Sequence, residues 1–328
     1  MVSIKDIARY CGVSAMTVSR ALNNSDDIAE ATKEKILKVC EELKYKPNSA
    51  AKSLITKKTN MIGLIIPDIA NQYYANISKG VSSYIEKHGY GLILCNSNRK
   101  KPNEVKYLDF LSEGRVDGII ILPVKPRKED YEDISRQIPM VMADNFAKGL
   151  EVNFVGIDNY AGAIKIITHM VNQGYKKIGV ILGDKDSTAS SERLNGYKKV
   201  LEDKGISYNE DIVIHSNSTF EDGFNIASIL IEKGVDSIFA INDTVAMGVI
   251  KYCYEKGIKL PEELGLAGYD NIEQAAMLTI PLTTVDQDNK KIGTIAAKML
   301  VDAIKGNAKK TEKIILEPTL VIRKSCGE

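Results

Sequence analysis

The sequence predicts a three-helix, helix-turn-helix headpiece followed by an α/β core of two doubly wound parallel-sheet lobes. Three observations carry that prediction. Ile4–Asn23 reads as two short amphipathic helices around a glycine turn. From Met61 onward, short continuous apolar runs alternate with helical patterns, as expected of parallel strands buried on both faces. About 270 residues of such alternation is much for one sheet, so the core divides into two.

The headpiece elements follow from local chemistry. Ser3 is placed to cap the first helix, with Asp6 three residues on, close to a capping box. Ile4, Ile7, Ala8 and Cys11 form one apolar stripe, and Gly12 ends the helix where positive φ is wanted. Val13 fills the space between helices, and Ser14 caps the second helix, whose apolar face is Val18, Ala21 and Leu22. The opposite face carries Ala15, Met16, Thr17, Ser19, Arg20 and Asn23, with no acidic residue. Such a face suits the major groove of DNA, although a plain helical hairpin with a solvated face shares the pattern. Ala31–Leu43 reads as a third, bracing helix with Ile36, Val39, Cys40 and Leu43 on one side, ended before Pro47. Residues 48–55 make about two turns of helix, marginal in water without a partner or a binding surface. A basic linker is the alternative.

Met61–Ile66, Gly91–Cys95, Gly118–Leu122, Pro139–Ala143, Lys177–Leu182, Ser237–Ile241 and Leu264–Gly268 have strand length. Helical patterns lie between them near Asn71–His88, Glu104–Glu113, Ala161–Asn172, Ser190–Lys204, Gly223–Lys233 and Thr244–Lys256. In doubly wound sheets, ligands sit beyond the carboxyl ends of the strands. That rule singles out Asp68, Asn71, Asp144-Asn145, Asn242-Asp243 and Asp270-Asn271. Each is equally well placed as a helix cap or turn residue.

The net charge of +1 is uninformative, but its distribution is not. Residues 1–60 hold 11 Lys and Arg against 7 Asp and Glu, whereas the remainder holds 33 against 36. The basic module is the helical one, as nucleic-acid contact requires. Cys11, Cys40, Cys95, Cys253 and Cys326 are odd in number and widely spaced, which speaks for reduced thiols over disulfides or a zinc site. No signal peptide opens the chain and no apolar run reaches membrane-spanning length, so a cytoplasmic protein without membrane association is expected. His88, His169 and His215 are scattered, with no nucleophile elbow, metal-ligand spacing or phosphate loop, so neither an enzyme nor a cofactor or metal is expected.

The segments IKDIARYCGVSAMTVSRALN, TKEKILKVCEELKYKPN and SAAKSL resemble the N-terminal signature and hinge of LacI-family bacterial transcription regulators. IGLIIPDIANQYY, VDGIIILP, VGIDNYAGA, RLNGY, FAINDTVAMG, GLAGYDN and PLTTVDQD resemble later blocks of that family, in order, over essentially the whole chain. The resemblance implies a headpiece at residues 1–47, a hinge helix and linker at 48–59, and a periplasmic-binding-protein-like core at 60–328. It divides the core into lobe one (60–158 and 290–318) and lobe two (159–289 and 319–328). The partners implied are a pseudo-palindromic operator with a central CG step, a small sugar-like effector and a second copy of the chain. The end of the chain just after the last strand favours a dimer over the family's tetramers.

Carried over residue by residue, Ala15, Met16 and Arg20 take the base-reading positions, with Ser19 and Asn23 as further candidates for base readout. Ser14, Thr17 and Ser19 suit phosphate contacts, and Leu54 is the hinge wedge of the minor groove. Ala15 and Met16 have no hydrogen-bonding side chain, which leaves most of the base readout to Arg20. Asn71, Tyr73, Tyr74, Asp144, Arg193, Phe220, Asn242, Asp270 and Gln287 fall at sugar-binding positions. Asn145 stands beside them where many relatives carry arginine, and loss of that cation favours a neutral effector. The expectation is a repressor of sugar-utilisation genes, released from DNA by its effector. The alternatives are a transporter's solute-binding protein and a regulator dependent on a protein co-effector.

Overall fold

The computed structural model of the chain describes residues 2–22, 27–45, 58–307 and 310–327. They fall into two compact units, Met1–Thr59 and Asn60–Glu328. Asn23, Leu54 and the expected hinge helix at 48–55 lie outside the described residues.

In the first unit, α1 (Ile4–Cys11) begins with the expected capping box. The Asp6 amide donates to Ser3 Oγ and the Ser3 amide returns a bond to Asp6 Oδ2 at 3.0 Å. Gly12 ends the helix at φ 67°, where a side chain would be strained. α2 (Ala15–Leu22) starts under Ser14, whose Oγ accepts from the Thr17 amide at 3.0 Å. α3 (Glu30–Glu42) closes the bundle, and Ile7, Ala8, Cys11, Val18, Ala21, Ile36 and Cys40 form its core.

The second unit contains two parallel sheets. The first has the order β11-β5-β4-β3-β1-β2, where β1 is Met61–Ile66, β2 Gly91–Asn96, β3 Gly118–Ile121, β4 Met140–Ala143, β5 Asn153–Ile157 and β11 Lys313–Leu316. Its strands are apolar on both sides because both sides are covered. Ile62, Leu64 and Ile66 of β1 join one core cluster while Ile65 joins the other, and β3 and β4 alternate likewise. α4 (Gln72–Glu86) and α12 (Asn289–Ile304) pack against each other on the first face. α5 (Lys101–Ser112) and α6 (Glu132–Gln137) belong to the second. α4 and α12 cross at glycine: a Cβ on Gly80 would lie 2.1 Å from the Lys290 carbonyl oxygen, and one on Gly293 would lie 2.1 Å from that of Ile77.

The second sheet has the order β7-β6-β8-β9, with β6 Ile178–Leu182, β7 Val213–His215, β8 Ser237–Ala240 and β9 Gly265–Ala267. A short antiparallel pair, β10 (Thr284–Asp286) and β12 (Thr319–Val321), continues it through parallel bridges from Ala267 to Thr283 and from Asp270 to Asp286. α7 (Asn159–Asn172) packs on α8 (Thr188–Asp203), and α9 (Phe220–Glu232) packs on α10 (Asp243–Lys256). A one-turn helix, α11, spans Glu273–Met277. The chain passes between the sheets three times: from β5 into α7, from β10 into α12, and from β11 to β12.

Two helix starts differ from the sequence expectation for a clear reason. α5 begins at Lys101, not Glu104, because Pro102 sits in the first turn, where its missing N–H costs nothing. α9 begins at Phe220, not Gly223, because Thr219 and Asp222 build a second capping box. All five cysteines are buried and unbridged. Among the described residues no helix is long and apolar enough to cross a membrane.

Candidate functional site

The headpiece presents one polar face. Met16 is 66% exposed, Ser14 and Arg20 are exposed, and Ala15, Thr17 and Ser19 are partly so. Ser14 Oγ lies 2.9 Å from Thr17 Oγ1, so these two hydroxyls brace each other at the start of α2. The Val18 and Ala21 side of the helix is fully buried, which fixes the rotation that turns Arg20 outward.

In the second unit, a cavity of about 220 Å³ lies between the carboxyl ends of the two sheets. Nine of the ten expected ligand residues line it: Asn71, Tyr73, Tyr74, Asp144, Asn145, Arg193, Asn242, Asp270 and Gln287. The exception is Phe220. It opens α9, remains 37% exposed and is not on the cavity wall. Ser218, at φ 62°, turns the preceding loop so that Asn217 and Ser218 line the cavity in its place.

Capping and lining prove compatible. Asn71 Oδ1 caps α4 through the Tyr73 amide at 2.9 Å, and Asn242 Oδ1 caps α10 through the Val245 amide at 2.8 Å, while both side chains border the cavity. In the acidic pairs the two members divide the work. Asp270 faces the cavity, whereas Asn271 bonds Asp286 and accepts from Arg323. Asp243, next to Asn242, is fully buried behind the wall and accepts from Thr284 Oγ1 at 2.6 Å and from the Ile272 amide at 2.9 Å.

The polar groups are wired to each other. Tyr73 Oη donates to Asp144 Oδ1 at 2.9 Å, and Gln287 Nε2 donates to Asp270 Oδ1 at 2.6 Å. Arg193, 4% exposed, donates Nε to Asn159 Oδ1 at 2.8 Å and Nη1 to the Ile241 carbonyl, with its guanidinium carbon 3.6 Å from the Tyr269 ring centre. Its planar fork is therefore oriented before any ligand arrives. Asn145 does something the sequence does not announce. From the first lobe it reaches the start of α8 in the second, where its Oδ1 accepts from Ser187 Oγ (2.9 Å), Thr188 Oγ1 (3.1 Å) and the Ala189 amide (3.3 Å). Lys125 and Asp184 make a second bridge between the lobes at 2.8 Å.

Arg99, Lys125, Asp184, Asn217 and Ser218 also line the cavity and are absent from the sequence expectation. The strand-end rule applies to them as well, because they follow β2, β3, β6 and β7. Lys125 is placed by a buried network one strand away. Glu104, fully buried, accepts from Lys101 Nζ (2.7 Å), Tyr131 Oη (2.6 Å) and the Val124 amide (2.6 Å), pinning the loop after β3.

Burial sets the electrostatics. It pushes the Asp144 carboxyl upward against the opposing charge of Arg193. Burial first, then the charge of Asp243, raises Asp270 well above the carboxylate range, and burial raises Asp243 itself to about 7. A carboxyl that holds its proton more tightly when folded stabilises the fold at low pH. That contribution is complete below the unfolded value near 4 and is lost as pH rises through about 7. Thermal melting should therefore show a core more stable at the acidic end of this window than at neutral pH. Asp243→Asn should flatten that slope, and an unchanged slope would remove Asp243 as its source.

The described residues thus comprise a helix-turn-helix unit with an exposed polar face and a two-lobed unit with a polar cleft. The comparisons agree. Residues 3–48 match the bacterial regulatory proteins of the lacI family, and residues 167–326 match a periplasmic binding protein-like domain. The HTH-type transcriptional regulator DegA of Bacillus subtilis is 33% identical over 98% of this chain and 97% of its own. The HTH-type transcriptional repressor PurR of Vibrio atlanticus is 34% identical over 98% of both chains. Among solved structures, a complex of the transcriptional regulator CelR with cellobiose superposes with a TM-score of 0.75 and 27% identity, over 99% of this chain and 100% of that one. The chain belongs to the lacI family of transcriptional regulators.

Proposed function

We propose that this regulator represses sugar-utilisation genes and that a small sugar-like effector, bound between its lobes, controls its affinity for operator DNA. The observation that carries this reading is the convergence of nine expected residues from both lobes on one cavity. Its chemistry suits a polyol: carboxylates and amides accept from and donate to hydroxyls, Arg193 offers a planar fork, and Tyr73 and Tyr74 offer ring surfaces. A volume of about 220 Å³ is below the roughly 300–1,000 Å³ of drug-sized sites, which scales the occupant to a single small ring. The cellobiose-bound relative supports a carbohydrate.

The mechanism is linkage. The occupant bridges residues of both lobes, so it binds some lobe orientations better than others, and an operator that favours one orientation is coupled to it reciprocally. The reading includes a homodimer on a pseudo-palindromic operator with a central CG step, where Leu54 wedges the minor groove and Asn23 joins the headpiece contacts. It includes no catalytic step. His88 stacks on Tyr84, His169 is buried in α7, and His215 is tied to the Gly183 carbonyl, so no two form a reactive pair.

Operator gel shifts with and without a panel of sugars test the reading. A sugar that releases the operator supports it, one that tightens binding makes the effector a corepressor, and no operator binding at all removes it. Within the headpiece, Arg20→Ala should reduce discrimination between operator and scrambled DNA by roughly ten- to a hundredfold, because a good bidentate base contact is worth about 1–3 kcal/mol. Equal loss on both DNAs would make Arg20 a phosphate contact.

A further inference from the structure

The absence of arginine at position 145 leads the sequence to favour a neutral effector, but the structure supplies a cation from another strand end. Arg99 follows β2, and the chain bends there through two left-handed residues that are not glycine, Asn98 at φ 52° and Arg99 at φ 57°. The bend is held by Asn96, whose Nδ2 donates to Asn98 Oδ1 at 2.8 Å, and by the Arg99 amide, which donates to the Pro67 carbonyl at 2.8 Å. Such residues cost about 1–2 kcal/mol each and persist where the site needs them. Among the described residues, five of the ten non-glycine residues with positive φ line this cavity, Arg99 among them.

The bend carries a guanidinium to the cavity wall, 5.8 Å from the Tyr74 ring centre. Its Nε is buried and makes no hydrogen bond. It forms an ion pair with Asp68 Oδ2 at 3.6 Å, too long for a hydrogen bond. The other cavity cations are held more closely. Lys125 pairs with Asp184 at 2.8 Å, and Arg193 is the largest opposing charge on both Asp144 and Asp270. A buried guanidinium N–H without an acceptor is costly, and an acidic oxygen offers it a short, charge-assisted hydrogen bond.

We infer that the molecule taken into this cleft is a single-ring or open-chain sugar derivative bearing an acidic group, a carboxylate or a phosphate monoester, and that Arg99 binds that group. The polyol portion lies against Asp144, Arg193 and Asp270. The inference rests on the reading of the cleft as an effector site.

Thermal shift and titration calorimetry on the full chain test it with matched pairs: gluconate, glucuronate and galacturonate, and the terminal phosphates of glucose and ribose, each against its neutral parent. At least one acid should stabilise the protein where its parent does not, and the carboxylates and phosphates separate the two sources of charge. Arg99→Gln, shown folded by circular dichroism, should bind that acid roughly ten- to a hundredfold more weakly. Arg99→Lys, which keeps charge but loses the fork, should fall between. Neutral parents binding as tightly as their acids would overturn the inference. So would acid affinity within about twofold of wild type in Arg99→Gln, or no shift from any acid. Operator binding measured on the same preparation separates the outcomes. If it persists without a response to acids, only this inference falls; if it is absent, the regulator reading falls as well.

Discussion

Arg193→Ala is expected to weaken binding of any cleft ligand by roughly a hundredfold and to lower core stability by about 3–5 kcal/mol. Both effects come from one geometry. The guanidinium is buried, bonded to Asn159 and the Ile241 carbonyl, and stacked on Tyr269. Its removal leaves those acceptors without their donor and takes the principal cation from Asp144 and Asp270. The carboxyls respond by holding their protons more tightly, so the variant should lose stability more steeply than wild type as pH rises. Arg193→Lys should restore little, since a single ammonium cannot reproduce bonds along two directions of a planar fork. Calorimetry and melting at two pH values check this. A variant that binds ligand normally would show that the fork serves only the fold.

Gly293→Val should damage the core strongly although it touches neither site. A Cβ there meets the Ile77 carbonyl oxygen at 2.1 Å, backbone against backbone, so no side chain can move aside. The facing Gly80 makes the same approach to Lys290. Relief requires α4 and α12 to separate along their whole contact, loosening Ile77, Val81, Ile292 and Ala296, all fully buried. Overpacking of this kind costs roughly 1–3 kcal/mol or more. At roughly 2–4 °C per kcal/mol for a unit of this size, the melting temperature should fall by several degrees. Gly293→Ala should cost less but remain measurable. Wild-type melting in either variant would mean that the crossing is looser than its geometry.

The parts of the fold legible in the sequence are those decided locally or by burial on two faces. The caps at Ser3, Gly12 and Ser14 and the apolar runs of β1, β3, β4, β6 and β8 belong to that class. β7, β10 and β12 are three residues long and owe their pairing to neighbours, so no periodicity marks them. α12 did carry a signal in Ile292, Ala296 and Leu300, beyond the last run read as a strand. The site divides likewise. Residues at the ends of recognisable strands were accessible to reasoning, and family resemblance supplied Tyr73, Arg193 and Gln287. Arg99 also follows a recognisable strand, but its direction depends on two left-handed residues, Asn98 and Arg99 itself, in a bend held by Asn96. The bridging role of Asn145 was not accessible, because its partners come from the other lobe.

The three passages of the chain between the sheets also set an order of assembly. Lobe one opens the core with β1, yet α12 and the edge strand β11 arrive only after lobe two has been traversed. During synthesis, residues 159–286 emerge as a nearly complete domain lacking only β12, while the earlier sheet waits with the face meant for α12 uncovered. The lobe that begins first is thus closed only after most of the other has been made. The nascent chain carries an exposed apolar surface until α12 is made, which makes truncations before α12 the ones most open to aggregation.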